Sequence, residues 1–206
     1  MTIKTVSLSN LSLSFPIGQQ PLCHCMISKS AKILLTGLPG CGKTTAIIQT
    51  VNTLKQSKVA GFYTQEIREA NIRKGFRWRR LDGAEGILAH IDTKSPFKVG
   101  KYRVDIAGFE KSVVPILDAD KTDAQLFVID EIGRMECMSE KFVAAIRRLF
   151  ASDKSALATV AQKGAGLISE IKSYPGTKLF NLTRQNYNET ITEILQVLSF
   201  LKKASC

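Results

Sequence analysis

Residues 37–44 limit most strongly what this chain can fold into. They read Gly-Leu-Pro-Gly-Cys-Gly-Lys-Thr and match the G-x-x-x-x-G-K-[ST] pattern of a phosphate-binding loop, or P-loop. In such a loop the backbone N–H groups surround the anion, the lysine reaches the β and γ phosphates, and the last hydroxyl can ligate Mg²⁺. The pattern therefore predicts that the chain binds a nucleoside triphosphate.

A P-loop lies between a buried strand and the N-terminus of a helix, and the flanking sequence contains both. The short apolar run at residues 32–36 predicts the strand. After the loop, apolar residues recur at the spacing of one helical face: Ile47, Ile48, Val51 and Leu54. This context favours a nucleotide-binding loop over an ordinary glycine turn.

A second informative segment is Leu-Phe-Val-Ile-Asp-Glu, residues 126–131. Its apolar residues predict a buried strand, and Asp130 and Glu131 follow at the C-terminal edge, where α/β proteins bind ligands. In a P-loop protein the first acid supports Mg²⁺. The second acid can orient the attacking water or accept its proton. We therefore expect Mg²⁺ as cofactor, bound through Thr44 and Asp130, with Glu131 as the base.

These two segments supply all the predicted site residues. Lys43 and Glu131 are the predicted catalytic residues. The predicted nucleotide-binding residues are Gly37, Leu38, Pro39, Gly40, Cys41, Gly42, Lys43, Thr44, Thr45, Phe127, Val128, Ile129, Asp130, Glu131, Ile132, Gly133 and Arg134.

With 206 residues, the chain suits one α/β domain that has a substantial core. We predict a single domain over residues 1–206, in which residues 31–206 form the core and residues 1–30 add strands. A cleaved transit peptide is the alternative for residues 1–30, but they contain no Arg and such peptides are usually Arg-rich. No apolar run approaches about 18 residues, so we expect no membrane span.

The cysteines are odd in number and scattered: Cys23, Cys25, Cys41, Cys137 and Cys206. This usage favours free thiols in a reducing cytoplasm over a disulfide framework. The Cys23-His24-Cys25 triplet has no second ligand pair at a zinc-like spacing, so we interpret these residues as part of a strand or turn.

The formal net charge of +11 is unevenly distributed. Six cations surround Phe76 and Trp78: Arg68, Arg73, Lys74, Arg77, Arg79 and Arg80. Such a segment could bind polyanions, including nucleic acid. The other interpretation is a solvated hairpin whose alternate positions carry charge.

The other segments predict alternating strands and helices. Residues 59–65 and 76–81 would form a hairpin beside the core, with a turn at Ala70-Asn71 and a further strand at 86–90. Residues 92–101 read as a loop and residues 104–118 as a helix. Helices at 139–150, 166–172 and 188–202 alternate with strands at 155–160 and 178–182. We expect a mostly parallel sheet built from right-handed crossovers.

The motifs resemble those of the THEP-type nucleoside-triphosphatases, also called cancer-related NTPases. The resemblance extends from Lys32 to Leu198 and includes residues 37–45, 61–69, 81–83 and 99–105. Its most specific part is Val-Ile-Asp-Glu-Ile-Gly-Arg-Met-Glu, residues 128–136. The resemblance implies a RecA-like, ASCE-type core, Mg²⁺ dependence and slow hydrolysis of several nucleoside triphosphates to diphosphates. By position, Lys43 and Thr44 would bind phosphate and metal, Asp130 would support Mg²⁺, and Glu131 would be the base.

Two features depart from the family pattern. Residues 1–30 have no clear counterpart, because the family usually begins almost at the P-loop strand. Gln65 stands before Glu66 where an acid is expected.

Several other side chains are weaker candidates. Arg134 could approach the γ-phosphate, and Lys163 or Gln162 could sense it. Asn186, close to Arg184, could lie near the base of the bound nucleotide, or it could begin the last helix as its N-cap. Glu66 and Arg68 could reach the phosphates or form a surface ion pair. We interpret His90, alone at a strand end, as structural.

Three other functions compete with hydrolysis. An ABC-type ATPase would use Phe15 to stack on adenine, but its Leu-Ser-Gly-Gly-Gln signature is missing. A P-loop kinase would transfer the γ-phosphate to a nucleoside, a nucleotide or a nucleic-acid end, with the hairpin arginines holding both substrates. The third alternative is a module that binds nucleic acid when nucleotide is bound. Only the net positive charge of the chain favours it.

Overall fold

The computed structural model describes residues 30–54 and 58–199. The strands predicted within residues 1–29, the Cys23-His24-Cys25 triplet and Phe15 lie outside the described residues. No helix in the described ranges is long and apolar enough to cross a membrane.

A nine-stranded mixed sheet forms the centre of the described chain. Its strands are β1 (Lys32–Thr36), β2 (Val59–Glu69), β3 (Ile72–Arg80), β4 (Glu85–His90), β5 (Lys98–Val99), β6 (Tyr102–Val104), β7 (Leu126–Ile132), β8 (Ser155–Val160) and β9 (Thr177–Asn181). The helices are α1 (Lys43–Thr53), α2 (Ile106–Ser112), α3 (Glu140–Ala151), α4 (Leu167–Lys172) and α5 (Tyr187–Val197), with 3₁₀ turns at Val114–Leu117 and Glu136–Met138.

The strand order, β5-β6-β4-β3-β2-β7-β8-β1-β9, divides the sheet into two halves. Strands β2, β7, β8, β1 and β9 are parallel to their neighbours within this group, whereas β3, β4, β6 and β5 continue the sheet in antiparallel pairing. Strand β8 lies between the P-loop strand β1 and the acidic strand β7. This order confirms the expected α/β fold with a RecA-like, ASCE-type parallel core.

Helices cover both faces of the parallel half. On one face, Ile33 and Leu35 of β1 pack in one cluster with Ile47 of α1 and Ile194 of α5. Leu34 belongs to the cluster on the other face, which contains residues of α2, α3 and α4. Successive residues of β1 therefore point to opposite, fully buried faces, which explains its unbroken apolar sequence.

The basic hairpin is continuous with the core and is not a separate addition. The first part of β2 pairs in parallel with β7, from Val59 opposite Leu126 to Phe62 opposite Ile129. The same strand continues beyond the core as the first strand of the hairpin with β3. The expected turn is confirmed at Ala70 and Asn71, whose φ values of 45° and 64° are those that two-residue hairpin loops require.

The predicted helix at 104–118 is correct only in part. Val104 ends strand β6, and Asp105 starts α2 by accepting a hydrogen bond from the Gly108 N–H at 3.0 Å. Beyond Ser112 the chain makes a 3₁₀ turn that contains Pro115, which has no N–H to continue an α-helix. The predicted loop at 92–101 also contains β5, which pairs with β6 around Gly100.

The two hairpin strands were predicted too short, because β2 continues to Glu69 and β3 begins at Ile72, each four residues beyond the predicted end. The remaining elements agree with prediction to within about two residues, apart from one helix end. Strand β8 has the predicted bounds, and Ser139 caps α3 through a hydrogen bond from the Phe142 N–H. Helix α5 ends at Val197, whereas the sequence predicted a helix to residue 202. Cys41 and Cys137 are free thiols, as expected; the other cysteines lie outside the described residues.

Candidate active site

The P-loop connects β1 to α1 in a conformation that its glycines allow. Gly40 and Gly42 have φ values of 75° and 103°, in the left-handed region that favours glycine. A Cβ on Gly42 would also lie 3.1 Å from the ring of Tyr187. Helix α1 begins at Lys43, directly after Gly42, so its unpaired N–H groups and positive dipole end face the loop. The loop can therefore bind phosphate.

The ammonium group of Lys43 lies over this loop. Its Nζ donates hydrogen bonds to the carbonyl oxygens of Gly37 at 3.0 Å and Leu38 at 3.2 Å. Leu38 is 67% exposed, so solvent reaches this contact. A phosphate can thus replace the carbonyls as the partner of Lys43 without opening the core.

The carboxylate of Asp130 joins the P-loop to the sheet. Its Oδ2 accepts a hydrogen bond from the Thr44 hydroxyl at 2.7 Å, and its Oδ1 accepts one from the Thr159 hydroxyl at 2.7 Å. The Thr64 N–H of β2 donates to Oδ2 at 3.4 Å. Asp130 is only 2% exposed, and this burial raises its pKa, an effect that the hydroxyl hydrogen bonds oppose.

The donor set of Thr44 and Asp130 fits Mg²⁺, since a hydroxyl and a carboxylate are hard oxygen ligands held side by side. No group of three or more His, Cys, Asp or Glu side chains that could hold a metal occurs in the described ranges. Mg²⁺ commonly uses one or two protein oxygens together with substrate phosphates and water. The site therefore suits a metal that arrives with the nucleotide.

An irregularity in β7 directs two consecutive carboxylates into one cleft. Ile129 pairs with Ala158 and Ile132 with Val160, so three steps along β7 match two along β8. In a regular strand, consecutive side chains point to opposite faces. The extra residue changes this alternation, as bulges near active sites do. Asp130 and Glu131 consequently both line the same cleft as Lys43 and Thr44. The volume of this cleft is about 480 Å³.

Glu131 has the environment of a general base. Glu131 is exposed to the cleft, yet the protein around its carboxylate excludes enough water to raise the pKa of this group. The Asp130 charge raises the pKa further, while the Lys43 ammonium lowers it. A carboxylate whose pKa is raised accepts a proton more readily than an ordinary glutamate.

The outer part of the hairpin forms the facing wall of the cleft. Residues of β2 and β3 line it: Thr64, Gln65, Glu66, Arg73 and Phe76. Sequence reasoning did not assign Thr64, Arg73 or Phe76 to the site. The expected turn at 70–71 by itself would place Phe76 opposite Gln65; a register shift between Ile67 and Arg68, which the sequence did not predict, places it opposite Glu66.

Glu66 and Arg73 are held together in this wall. Glu66 accepts hydrogen bonds from Arg73 Nη1 at 2.7 Å and Arg68 Nε at 2.7 Å, and these arginines lower its pKa. Arg73 Nε also donates to the Tyr102 hydroxyl at 2.9 Å, and its guanidinium lies 5.2 Å from the Phe76 ring centre. Glu66 is therefore both a cleft residue and an ion-pair partner, whereas Arg68 does not line the cleft.

Part of the predicted nucleotide-binding set does not reach the cleft. Phe127, Val128, Ile129 and Ile132 are fully buried in the sheet, so their role is to hold Asp130 in place. The Gly133 N–H is occupied by Glu136 Oε2 at 3.1 Å. Arg134 and Lys163 line a different cavity, described below. These residues lie outside the cleft lining because the strand interior packs against helices, and their contact with a nucleotide stays a prediction.

Glu136 is a buried acid that sequence reasoning missed. It is 4% exposed, and burial together with the Glu131 charge raises its pKa to about 8. Its Oε2 accepts the Gly133 hydrogen bond, so it supports the chain segment that follows the proposed base. The sequence signal was an acid flanked by the apolar residues Met135, Cys137 and Met138.

Asn186 occupies the predicted N-cap position of α5, but its side chain makes no capping bond. Its Oδ1 accepts hydrogen bonds from the Thr183 N–H at 2.8 Å and the Thr183 hydroxyl at 3.1 Å. Its Nδ2 donates to the Asn181 carbonyl at 3.0 Å. Asn186 therefore closes the turn before α5. His90 has a similar structural contact, because its Nδ1 accepts the Asp92 N–H at 3.2 Å.

The six hairpin cations all have local partners. Each lies within 4.0 Å of a carboxylate: Arg68 and Arg73 of Glu66, Lys74 of Glu69, Arg77 and Arg79 of Glu85, and Arg80 of Asp82. This pairing favours the interpretation of a solvated hairpin over that of a polyanion-binding patch.

Known proteins resemble the chain over the same elements. The sequence model of a family described as NTPase matches residues 32–195. Nucleoside-triphosphatase THEP1 of Thermotoga petrophila is 42% identical over 169 residues, which are 82% of this chain and 93% of that protein. The cancer-related nucleoside-triphosphatase of Homo sapiens is 35% identical over 186 residues, covering 83% of this chain and 98% of the human protein. The crystal structure of THEP1 from Aquifex aeolicus has a TM-score of 0.74 and 34% identity, covering 81% of this chain and 98% of its own.

Proposed function

The chain belongs to the NTPase family that includes the THEP1 and cancer-related enzymes, and from this we propose that it hydrolyses several nucleoside triphosphates with Mg²⁺ as cofactor. The products are the nucleoside diphosphate and phosphate. The observation that carries the proposal is the Asp130 carboxylate, hydrogen-bonded to Thr44 of the P-loop and to Thr159 of β8, with Glu131 in the same cleft.

The residues divide the reaction between them. The P-loop amides and Lys43 bind the β and γ phosphates, and Thr44 and Asp130 would hold Mg²⁺. Bound Mg²⁺ would neutralise charge on these phosphates. Glu131 orients a water and accepts its proton as the oxygen attacks the γ-phosphorus and the bond to the β–γ bridging oxygen breaks. Asp130 keeps Thr44 oriented through the 2.7 Å hydrogen bond.

Weak base selectivity is supported by the composition of the cleft. Its lining consists mainly of loop backbone, hydroxyls, carboxylates and cations, which address phosphate and metal. We expect ATP, GTP, CTP and UTP to differ by less than about tenfold in kcat/KM, or about 1.4 kcal/mol. A preference for one base beyond about a hundredfold would remove broad selectivity from the proposal.

The test measures diphosphate and phosphate release from the four triphosphates with Mg²⁺ and with EDTA. Hydrolysis should require Mg²⁺ and should be lost in Glu131→Gln. The matched control is Glu193→Gln on the exposed face of α5, which should keep wild-type rates. Strong stimulation by an added nucleoside or nucleotide, with transfer of phosphate to it, would instead identify a kinase.

A further inference from the structure

A second cavity lies at the carboxyl ends of β7 and β8, on the face of the sheet that α3 and α4 cover. Its volume is about 840 Å³, larger than that of the P-loop cleft. Three segments line it: the β5–β6 turn, the residues after β7 and the loop from β8 into α4. Arg134 and Lys163, which the sequence suggested for the γ-phosphate, line this space instead of the P-loop cleft, and the proposed hydrolysis does not use it.

Each of the three segments contributes one cation: Lys98, Arg134 and Lys163. None of these three side chains has an ion pair or hydrogen bond with any residue in the described ranges 30–54 and 58–199. Within the described part of the chain, no Asp or Glu lines the cavity. The hairpin cations, by contrast, all have carboxylate partners. Positive charge is therefore concentrated in one concavity, and an anion can bind there without first breaking an ion pair.

The rest of the lining is apolar. Val99, Met138 and Ile168 contribute hydrocarbon and thioether surface. Burial raises the pKa of the Cys137 thiol to about 11, so this side chain adds uncharged surface and not a thiolate. The volume lies within the range of about 300–1,000 Å³ usual for small-molecule sites. A ligand that fits has an anionic group for the cations and an organic body for this surface.

Phosphate is the anion that these cations suit. A guanidinium can form two parallel hydrogen bonds to a phosphate, and lysines bind phosphate as point charges. Among the three cations that line the cavity, Arg134 is the group capable of such paired bonds. An organic phosphate the size of a nucleotide or sugar phosphate would satisfy the charge and the apolar wall together.

The cavity is separate from the P-loop cleft. Ile168 of α4 belongs to the cluster on one face of the sheet, whereas Ile47 of α1 belongs to the cluster on the other. The two spaces share no lining residue. Glu131 lines the cleft and Arg134 lines the cavity, so a three-residue segment, at most about 10 Å long, connects them. Both spaces can be filled at the same time.

We propose that the cavity formed by Lys98, Arg134 and Lys163 is a second binding site, for an organic phosphate, that can be occupied while the P-loop holds nucleotide. The proposal goes beyond hydrolysis and does not depend on it. The ligand's phosphate contacts the three cations, and its organic part packs on Met138 and Ile168.

The test uses AMP and inorganic pyrophosphate as probes, with the P-loop saturated by Mg²⁺ and ADP. Binding of pyrophosphate alone would contradict a site for an organic phosphate. Isothermal titration should detect binding of AMP with Kd below about 1 mM. Arg134→Gln and Lys163→Gln should each weaken it about tenfold, because each removes a charge-assisted contact. Lys178→Gln, on the exposed edge strand β9 and outside the cavity, is the matched control and should bind as wild type.

Two further measurements locate the site. Methyl resonances of Met138 and Ile168 should shift on AMP addition, and adenosine, which lacks the phosphate, should cause little change. Glu131→Gln should hydrolyse nucleotide about 10² to 10⁴-fold more slowly and still bind the probe, so failure of the second site and failure of the proposed function give different results. Binding of neither probe, or an equal loss in Lys178→Gln, would overturn the proposal.

Discussion

The parallel and antiparallel halves of the sheet place their charges in opposite ways. In the parallel half, Asp130 and Glu136 are almost fully buried, and hydrogen bonds from the protein surround them. In the antiparallel half, Glu66 and Glu85 lie at the surface and each pairs with two arginines. Removing a carboxylate from water changes its pKa and is costly unless it is hydrogen-bonded. Exposed ion pairs contribute about 0–1 kcal/mol each.

This difference indicates a division of roles. The parallel half holds the groups whose protonation matters for chemistry, and the antiparallel half shapes one wall of the cleft. Substitutions that conserve shape but remove charge should therefore have large effects in the parallel half and small effects in the antiparallel half.

The largest effect is expected from Glu131→Gln, which keeps the side-chain shape and removes the base. We expect kcat to fall about 10² to 10⁴-fold while nucleotide affinity survives, because Lys43 and the loop amides remain. Single-turnover hydrolysis and triphosphate Kd measure the two quantities. The same change in the antiparallel half, Glu66→Gln, should lower kcat by less than about tenfold. Equal losses in both variants would show that the wall takes part in the chemistry.

The next effect concerns stability and pH. The pKa of Glu136 is about 8 in the folded protein, against an ordinary 4.5. The folded state keeps a proton that the unfolded chain has lost, so this group lowers the free energy of unfolding as pH rises from about 4.5 to about 8. In Glu136→Gln the amide oxygen can still accept the Gly133 N–H, but this pH dependence disappears.

Urea unfolding at pH 5.5 and pH 8.5 checks this prediction. The free energy of unfolding of Glu136→Gln, measured relative to wild type, should be up to about 3 kcal/mol higher at pH 8.5 than at pH 5.5. Glu85→Gln removes an exposed carboxylate of the antiparallel half and should follow the wild-type pH dependence. If the free energy of unfolding changed with pH in the same way in wild type and Glu136→Gln, the assignment of Glu136 as a buried, protonated acid would be wrong.

A smaller effect is expected from Thr159→Val, which removes one donor to Asp130 without changing side-chain volume much. The Asp130 Oδ1 atom would lose its 2.7 Å hydrogen bond, at a cost of about 2 kcal/mol in stability. Because this bond lowers the pKa of Asp130, the variant should need more Mg²⁺ for half-maximal hydrolysis. Thr177→Val is the control, since the buried Thr177 hydroxyl has no hydrogen-bond partner within the described chain. Thr159→Val should therefore unfold at a clearly lower temperature than Thr177→Val.

The smallest effect tests the wall. Arg73→Lys keeps the charge, but lysine cannot bond to Glu66 and Tyr102 with the fixed geometry of a guanidinium. We expect kcat/KM to fall by less than about tenfold, mainly through KM. Arg77→Lys, whose partner Glu85 lies outside the cleft, should change neither quantity. If kcat/KM fell more in Arg77→Lys than in Arg73→Lys, the assignment of Arg73 to the cleft wall would be wrong.

Local sequence patterns were sufficient for much of the fold and for the centre of the site. The strand–loop–helix unit around Lys43, the acidic strand that contains Asp130 and the turn at Ala70-Asn71 each depend on residues within a few positions of one another. Backbone hydrogen bonding, glycine conformation and apolar spacing act over such distances. These elements therefore appear where the sequence predicts them. The bounds of α2 were less predictable, because Asp105 and Pro115 compete with the apolar spacing around them.

The sequence by itself determined that the chain has a P-loop, an acidic strand and the alternating elements of an α/β fold. Only the tertiary structure decided that the irregularity in β7 brings Glu131 into the same cleft as Asp130, and that Arg73 of the hairpin lines this cleft together with Lys43. Only the tertiary structure placed Arg134 with Lys98 and Lys163 in a second cavity. The physical reason is that these groups are brought together by pairing between strands far apart in the chain, whose register depends on the packing of the whole sheet.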